Sequence, residues 1–173
     1  DLLDAEAQRR YAELAIFPED VDIPLAAVAA LWRLDEFDTE ELARRLDELA
    51  LAEFDLRRGT LALHDVLRSL MAAQLGAAGA AALSRLVDAW SLRPADAHAW
   101  RWLAFHLRGA GRTLELRALL FDPDWLAAKL AATDVHALAA DLDNSVDDPP
   151  LRLLRDAVRL AAPALDVEPP SWR

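Results

Sequence analysis

Apolar positions recur every three to four residues along most of the chain, which is the spacing of one face of an α-helix. The first such stripe, formed by Leu3, Ala7, Tyr11 and Leu14, predicts a helix that ends near Ala15. Prolines on both sides of the segment FPEDVDIP then interrupt the pattern, because proline cannot continue a helix interior. The chain therefore begins as a helix followed by a short break.

Two further helices are predicted before residue 50. The second begins near Pro24, since proline suits the first turn of a helix. The third is expected to begin at Asp38, because an aspartate N-cap with Glu41 three residues later has the spacing of a capping box. Its apolar stripe runs through Leu42, Leu46 and Leu49.

A hairpin and a fourth helix follow. Residues 51–56 and 60–63 can form two short strands around Arg57, Arg58 and Gly59, a turn in which glycine permits positive φ. A helix is predicted from about residue 65 to residue 75. Three helices, a hairpin and a further helix are the element order of a winged-helix domain.

Residues beyond Gly76 show only helical patterning with short breaks. About six helices are predicted between residues 80 and 166, and Thr133 is expected to cap one of them. We therefore predict a mainly α chain in which a winged-helix domain precedes an all-α helical bundle, or arm. The expected domains are residues 1–76 and residues 77–168, with residues 169–173 as a tail toward a further domain.

The composition excludes several classes of function. The formal net charge of −11 disfavours nucleic-acid binding, because attraction to phosphate supplies most of that affinity. Without cysteine the chain has no thiol chemistry, and this absence is compatible with a cytoplasmic location. The longest uncharged run, residues 69–84, is too short and too poor in large apolar side chains for a membrane span. The chain opens inside a helical pattern without methionine, so we expect it to be a piece of a longer protein.

Residues that could carry chemistry are few. The five glycines and the single lysine, Lys129, never form a phosphate-binding loop, so the chain is not expected to be an enzyme. His98 and His106 are eight residues apart, which is too far for two metal ligands on adjacent helical turns, and no metal site is predicted. Trp100 and Trp102 fall on different faces of one helix, so one is expected in the core and the other against a neighbour or partner.

His64 and Asp65 are the candidate site residues. They stand where the second strand of the hairpin should end and the next helix should begin. Unpaired amides and a positive dipole at a helix N-terminus favour anions, and an imidazole there can donate to a phosphate. The alternative is that His64 is an ordinary turn residue beside Asp65 as the capping residue.

Four segments resemble the winged-helix and helical-arm region of bacterial STAND (NB-ARC type) NTPases, relatives of apoptotic protease-activating factor. RYAELAIFPEDVDIP (residues 10–24) is similar to the entry of their winged helix, and LDEFDTEELARRLDELALAEF (34–54) to its next helix and strand. LALHDVLRSL (61–70) resembles their His-Asp signature. WLAFHLRGAGRTLELRALLFDPDWLAAKLAATDV (102–135) is similar to the arm that precedes a WD-repeat propeller.

The resemblance implies a regulatory role. His64 would contact the β-phosphate of ADP held by the nucleotide-binding domain of the parent protein, with Asp65 as a supporting cap. The arm would relay the switch to a C-terminal, WD-repeat-like sensor domain. The parent would be a cytoplasmic signalling ATPase that uses ADP and ATP with magnesium and forms a homo-oligomer when active. The chain alone is expected to bind no cofactor, metal, membrane or nucleic acid.

Two other functions stay open at this point. One is a DNA-binding winged-helix transcriptional regulator that reads DNA with its third helix. The other is an α-helical scaffold that binds partner proteins along residues 80–166.

Overall fold

The computed structural model describes residues 2–143 and 148–165, and their contacts form two compact units. The first unit comprises Asp1–Leu92 and Gly109–Gly111, and the second comprises Arg93–Arg108 and Arg112–Arg173. The tail expected at residues 169–173 lies outside the described residues.

The first unit contains five helices and a small sheet within the described part of the chain. Its elements are α1 (Ala5–Glu13) with a 3-10 turn at Leu14–Ile16, β1 (Ile23–Pro24), α2 (Leu25–Trp32), α3 (Glu36–Glu48), β2 (Glu53–Asp55), β3 (Thr60–Ala62), α4 (Asp65–Leu75) and α5 (Ala77–Trp90). The element order expected for the first domain is therefore present, with one additional strand.

Within its described residues the second unit consists of helices joined by short loops. Its helices are α6 (Ala97–Gly109), α7 (Thr113–Leu120), α8 (Pro123–Ala132), α9 (Val135–Asp143) and α10 (Pro149–Leu165). The prediction of a mainly α chain with a small β element and a helical domain is confirmed.

The sheet has three antiparallel strands in the order β1-β3-β2. At the hairpin turn Oδ1 of Asp55 accepts hydrogen bonds from the amides of Arg57 and Arg58, at 2.9 and 3.1 Å. Gly59 closes the turn with φ of +61°, which glycine adopts without strain. Pro24 lies in β1, at the edge of the sheet, where a missing amide donor is tolerated.

Two helices begin at other residues than expected. Asp35, not Asp38, is the N-cap of α3, because its Oδ1 accepts from the amide of Asp38 at 2.8 Å. The prediction for Thr133 is also wrong, since Oδ1 of Asp134 accepts from the amide of Ala137 at the start of α9. Oγ1 of Thr133 instead donates to the carbonyl of Lys129 at the end of α8, at 2.7 Å.

The core of the first unit joins every one of its helices except α4 through fully buried side chains. Tyr11 is buried and its hydroxyl donates to the carbonyl of Leu51, while Nε1 of Trp32 donates to the carbonyl of Arg10 at 2.8 Å. The buried cluster contains Leu14, Phe17, Ile23, Val28, Leu31, Ala43, Leu46, Leu61, Ala82 and Leu86. Removal of these apolar surfaces from water stabilises the unit.

Helix α5 belongs to this first core. Leu83 and Leu86 of α5 are in the buried cluster, and Arg85 forms a 2.8 Å ion pair with the buried Glu13 of α1. The contacts therefore group α5 with the first unit, later in the chain than the boundary expected after residue 76. The domain boundaries of the parent protein stay a prediction.

No single helix among the described residues has the length and apolar character to cross a membrane. One bent pair, α4 with α5 at 104°, meets those two criteria together.

Candidate functional site

His64 lies between β3 and α4, where the sequence predicted it. It is the N-cap residue of α4, with φ of −66° and ψ of 134°, and its side chain is 49% exposed. Its Nδ1 is 3.9 Å from Oε1 of Glu53, a residue of β2. The imidazole is thus held beside an open helix N-terminus and faces an accessible surface.

Asp65 does not have the predicted capping position. Helix α4 begins at Asp65, so this residue is the first in the helix and His64 is the N-cap, which makes no side-chain capping hydrogen bond. The carboxylate still lies in the first turn, where it interacts favourably with the positive end of the helix dipole. The prediction that Asp65 is the cap is therefore wrong by one residue.

A concavity of about 250 Å³ adjoins His64. The loop between α1 and β1, the end of β3 and the first turns of α4 form its walls, and its ionisable lining residues are Asp20, Asp22, Glu53, His64 and Arg68. The guanidinium of Arg68 is already paired with Glu19 and donates to the carbonyl of Phe17 at 3.4 Å. Carboxylates therefore dominate the electrostatics of this surface.

Helix α3, which would read DNA in a winged helix, exposes mainly acidic side chains. Asp38, Glu41, Asp47 and Glu48 are exposed. Arg44 pairs with Glu40 at 2.5 Å, and Arg45 pairs with Glu48 at 3.1 Å. Because the two basic residues are neutralised within the helix, this face disfavours contact with phosphate.

A buried ion pair lies at the centre of the second unit. Lys129 of α8 is fully buried, forms an ion pair with Asp141 of α9, and donates to the carbonyl of Trp100 of α6 at 2.8 Å. Burial lowers the pKa of Lys129 and raises the pKa of Asp141 to about 6, against the opposing effect of the pair itself. The pair joins three helices, α6, α8 and α9.

His106 is a further buried ionisable group of this unit. It is fully buried in α6, and burial, with a smaller contribution from His98, lowers its pKa to about 3. Burial also lowers the pKa of His98. His106 is therefore neutral at pH 7. Within the described residues no three histidine or acidic side chains converge as metal ligands.

The second unit has a shallow groove, a feature that the α-helical scaffold alternative would require. Between α6 and α9 it encloses about 180 Å³ and is lined by Arg101, Trp102, Phe105, Arg108 and His136 among others. Trp100 is buried whereas Trp102 is half-buried in this groove, so the expected difference between the two tryptophans is confirmed. The i, i+3 and i, i+4 spacing of Trp102, Phe105 and the two arginines on α6 is the sequence signal that could have indicated it.

Comparison with known proteins finds a match within this helical part of the chain. The family model for the APAF-1 helical domain matches residues 86–147, which begin within α5 and include α6–α9. Apoptotic protease-activating factor 1 of Danio rerio is 25% identical over 140 residues, and that of Rattus norvegicus is 26% identical over 142.

The two alignments cover 74% and 75% of this chain but only 11% of either relative. The chain thus spans about a tenth of the length of these proteins. The chain therefore contains an Apaf-1-like helical region.

Proposed function

We propose that the chain is a non-catalytic regulatory part of a larger STAND (NB-ARC type) ATPase of bacterial, cytoplasmic origin. The observation that carries this proposal is the match of residues 86–147 to the APAF-1 helical domain. The first unit adds support, because its helices and its three-stranded sheet in the order β1-β3-β2 are compatible with the winged helix that we propose for it.

His64 is the proposed contact for ADP. Its position at the N-terminus of α4, without a side-chain cap and half exposed, leaves both the imidazole and the helix dipole open to an anion. The carboxylates of Asp20, Asp22 and Glu53 line the same surface and oppose a free diphosphate. The nucleotide-binding domain of the parent, with magnesium, would therefore have to supply the counter-charge.

The resulting mechanism is a two-state switch. ADP held between His64 and the nucleotide-binding domain would stabilise a closed form of the parent. Exchange of ADP for ATP would remove this differential contact and release the winged helix. The helical arm would carry the movement to a C-terminal, WD-repeat-like domain, and the active parent would assemble into a homo-oligomer.

The decisive experiment is His64→Ala in the full-length parent. Loss of one charge-assisted hydrogen bond to phosphate should accelerate ADP release by about tenfold and favour the assembled form. His136→Ala, which removes an exposed histidine from the second unit, is the matched control and should release ADP at the wild-type rate. Unchanged ADP release from the His64 variant would disprove the switch role.

A further inference from the structure

The groove between α6 and α9 combines half-exposed aromatic rings with positive charge. Trp102 and Phe105 lie edge to face with ring centroids 6.0 Å apart, and Phe105 is 38% exposed. Arg101 and Arg108 lie in the same groove. Aromatic residues and arginine are the side chains most enriched where proteins bind partners.

The two arginines differ in how they are neutralised. Arg101 forms a 2.5 Å ion pair with Asp134, which also caps α9. Arg108 donates to the backbone carbonyl of Asp141 at 3.2 Å, and the carboxylate of Asp141 also attracts its guanidinium. A guanidinium carries five donors, so Arg108 has donors left for an external anion.

The carboxylate closest to Arg108 in the groove is already committed. Asp141 lines the groove, is buried, and is ion-paired with Lys129. Because Asp141 is shared between Lys129 and Arg108, its single negative charge cannot neutralise both cations. This leaves a local surplus of positive charge in a chain whose net charge is −11.

The size of the groove indicates the kind of ligand. Its volume of about 180 Å³ is below the roughly 300–1,000 Å³ of pockets that enclose a small molecule or nucleotide. One apolar side chain fits against the two rings, and a carboxylate beside it can receive hydrogen bonds from Arg108. An acidic peptide with a single apolar anchor satisfies both features.

We propose that the α6–α9 groove is a docking site for an acidic peptide segment of a partner protein, with one aromatic or aliphatic side chain packed on Trp102 and Phe105 and a neighbouring carboxylate on Arg108. This site is independent of the nucleotide contact proposed for His64. The Lys129–Asp141 pair holds α6, α8 and α9 together, so the groove is preformed and ordering costs little on binding.

The test uses the full chain and a fluorescein-labelled peptide of about ten residues, with glutamates on both sides of one phenylalanine. Fluorescence anisotropy should show saturable binding that weakens as salt is raised, because the contact is partly ionic. Arg108→Gln should weaken binding by about tenfold. The matched control is Arg57→Gln in the first unit, which should bind like the wild type.

Two additional probes separate the features of the site. Phe105→Asp places a negative charge at an exposed position and removes no hydrogen bond. It should therefore abolish peptide binding, and it provides a test even if Arg108→Gln does not fold. A peptide in which glutamine replaces every glutamate should bind at least tenfold more weakly than the acidic peptide.

Several results would overturn the proposal. Equal peptide binding by the wild type and both groove variants would disprove the site. Undiminished binding of the glutamine peptide would show that the ligand needs no negative charge. A concentration-dependent dimer that Arg108→Gln abolishes would assign the groove to a second copy of the chain. Competition by duplex DNA that depends on Arg108 would assign it to nucleic acid.

Discussion

Lys129 and Asp141 form an ion pair that is almost completely buried. Taking two charges out of water costs several kcal/mol per ion, and the attraction between them offsets this cost only when both partners stay in place. The additional hydrogen bond from Lys129 to the carbonyl of Trp100 satisfies a further donor. The pair therefore makes the packing of three helices specific, whether or not it adds net stability.

A double-mutant cycle on this pair tests that interpretation. Lys129→Met should lower the free energy of unfolding by about 3 kcal/mol, because it leaves Asp141 buried without a cation. The double variant Lys129→Met, Asp141→Leu should regain most of that loss. Urea denaturation measures both values. A double variant as unstable as the single one would show that the lysine acts through packing alone.

His106 and Asp141 should make the stability of the folded chain depend on pH in opposite directions. The unfolded chain protonates His106 near pH 6.5, whereas the folded chain does so only near pH 3, so acid favours unfolding across this range. Asp141 has a folded pKa of about 6, above its unfolded value, so its protonation on acidification to about pH 4 favours the folded state. The two effects partly cancel in the wild type.

The two contributions can be separated by substitution. Relative to wild type, His106→Gln should gain about 2 kcal/mol of stability between pH 6.5 and pH 4.5, because it removes the proton that only the unfolded chain binds. Relative to wild type, Asp141→Asn should lose stability over the same pH range, because it removes the proton that the folded chain binds more strongly. Thermal unfolding at a series of pH values gives the comparison, and parallel profiles for wild type and the His106 variant would contradict it.

Sequence alone could place His64 but not these buried groups. The strand-to-helix boundary at His64 follows from local patterning, whereas the burial of Lys129 depends on α6 and α9, which are distant in the chain. A lysine in an alanine-rich helix is ordinarily a solvent-facing residue. The burial of His106 has the same non-local origin.

At the level of elements, the sequence predicted the presence of the helices more accurately than the residues at which they begin. The bounds of α4 agree with the prediction because strand β3 ends just before it and Gly76, with positive φ, ends it. Strand β1 was not predicted, since two residues carry no periodicity and its pairing partner, β3, lies far along the chain. The start of α3 was misplaced because Asp35 and Asp38 are both good N-cap residues.

Substitution of the two candidate caps of α3 measures this difference directly. Asp35→Ala should lower the free energy of unfolding by about 1 kcal/mol, because the first-turn amide of Asp38 loses its acceptor. Asp38→Ala, the matched control, should cost less than about 0.5 kcal/mol, since it removes only a favourable charge near the helix dipole. Chemical denaturation gives both values, and the reverse order would place the helix start at Asp38.

At the scale of the whole molecule, the acidic charge and the two units limit what the chain can bind. The net charge of −11 repels polyanions, and the exposed face of α3 carries the same sign. The positive surface at the α6–α9 groove is local. Periodicity predicted about six helices between residues 80 and 166, but not that α5 packs with the first unit, because only long-range contacts determine that grouping.

Duplex DNA provides a test at this scale. At about 50 mM salt, where ionic contacts are strong, micromolar chain should not retard a labelled duplex in a gel-shift experiment. A basic winged-helix protein is the positive control. A shift that disappears as the salt is raised to about 200 mM would instead support the transcriptional-regulator alternative.

Because Lys129 is the only lysine and is fully buried, the folded chain presents no side-chain amine to reagents that acylate amines. Acylation of that residue requires the second unit to open. The rate of adduct formation, followed by mass spectrometry, would therefore count openings of this unit in the intact chain, without an introduced label.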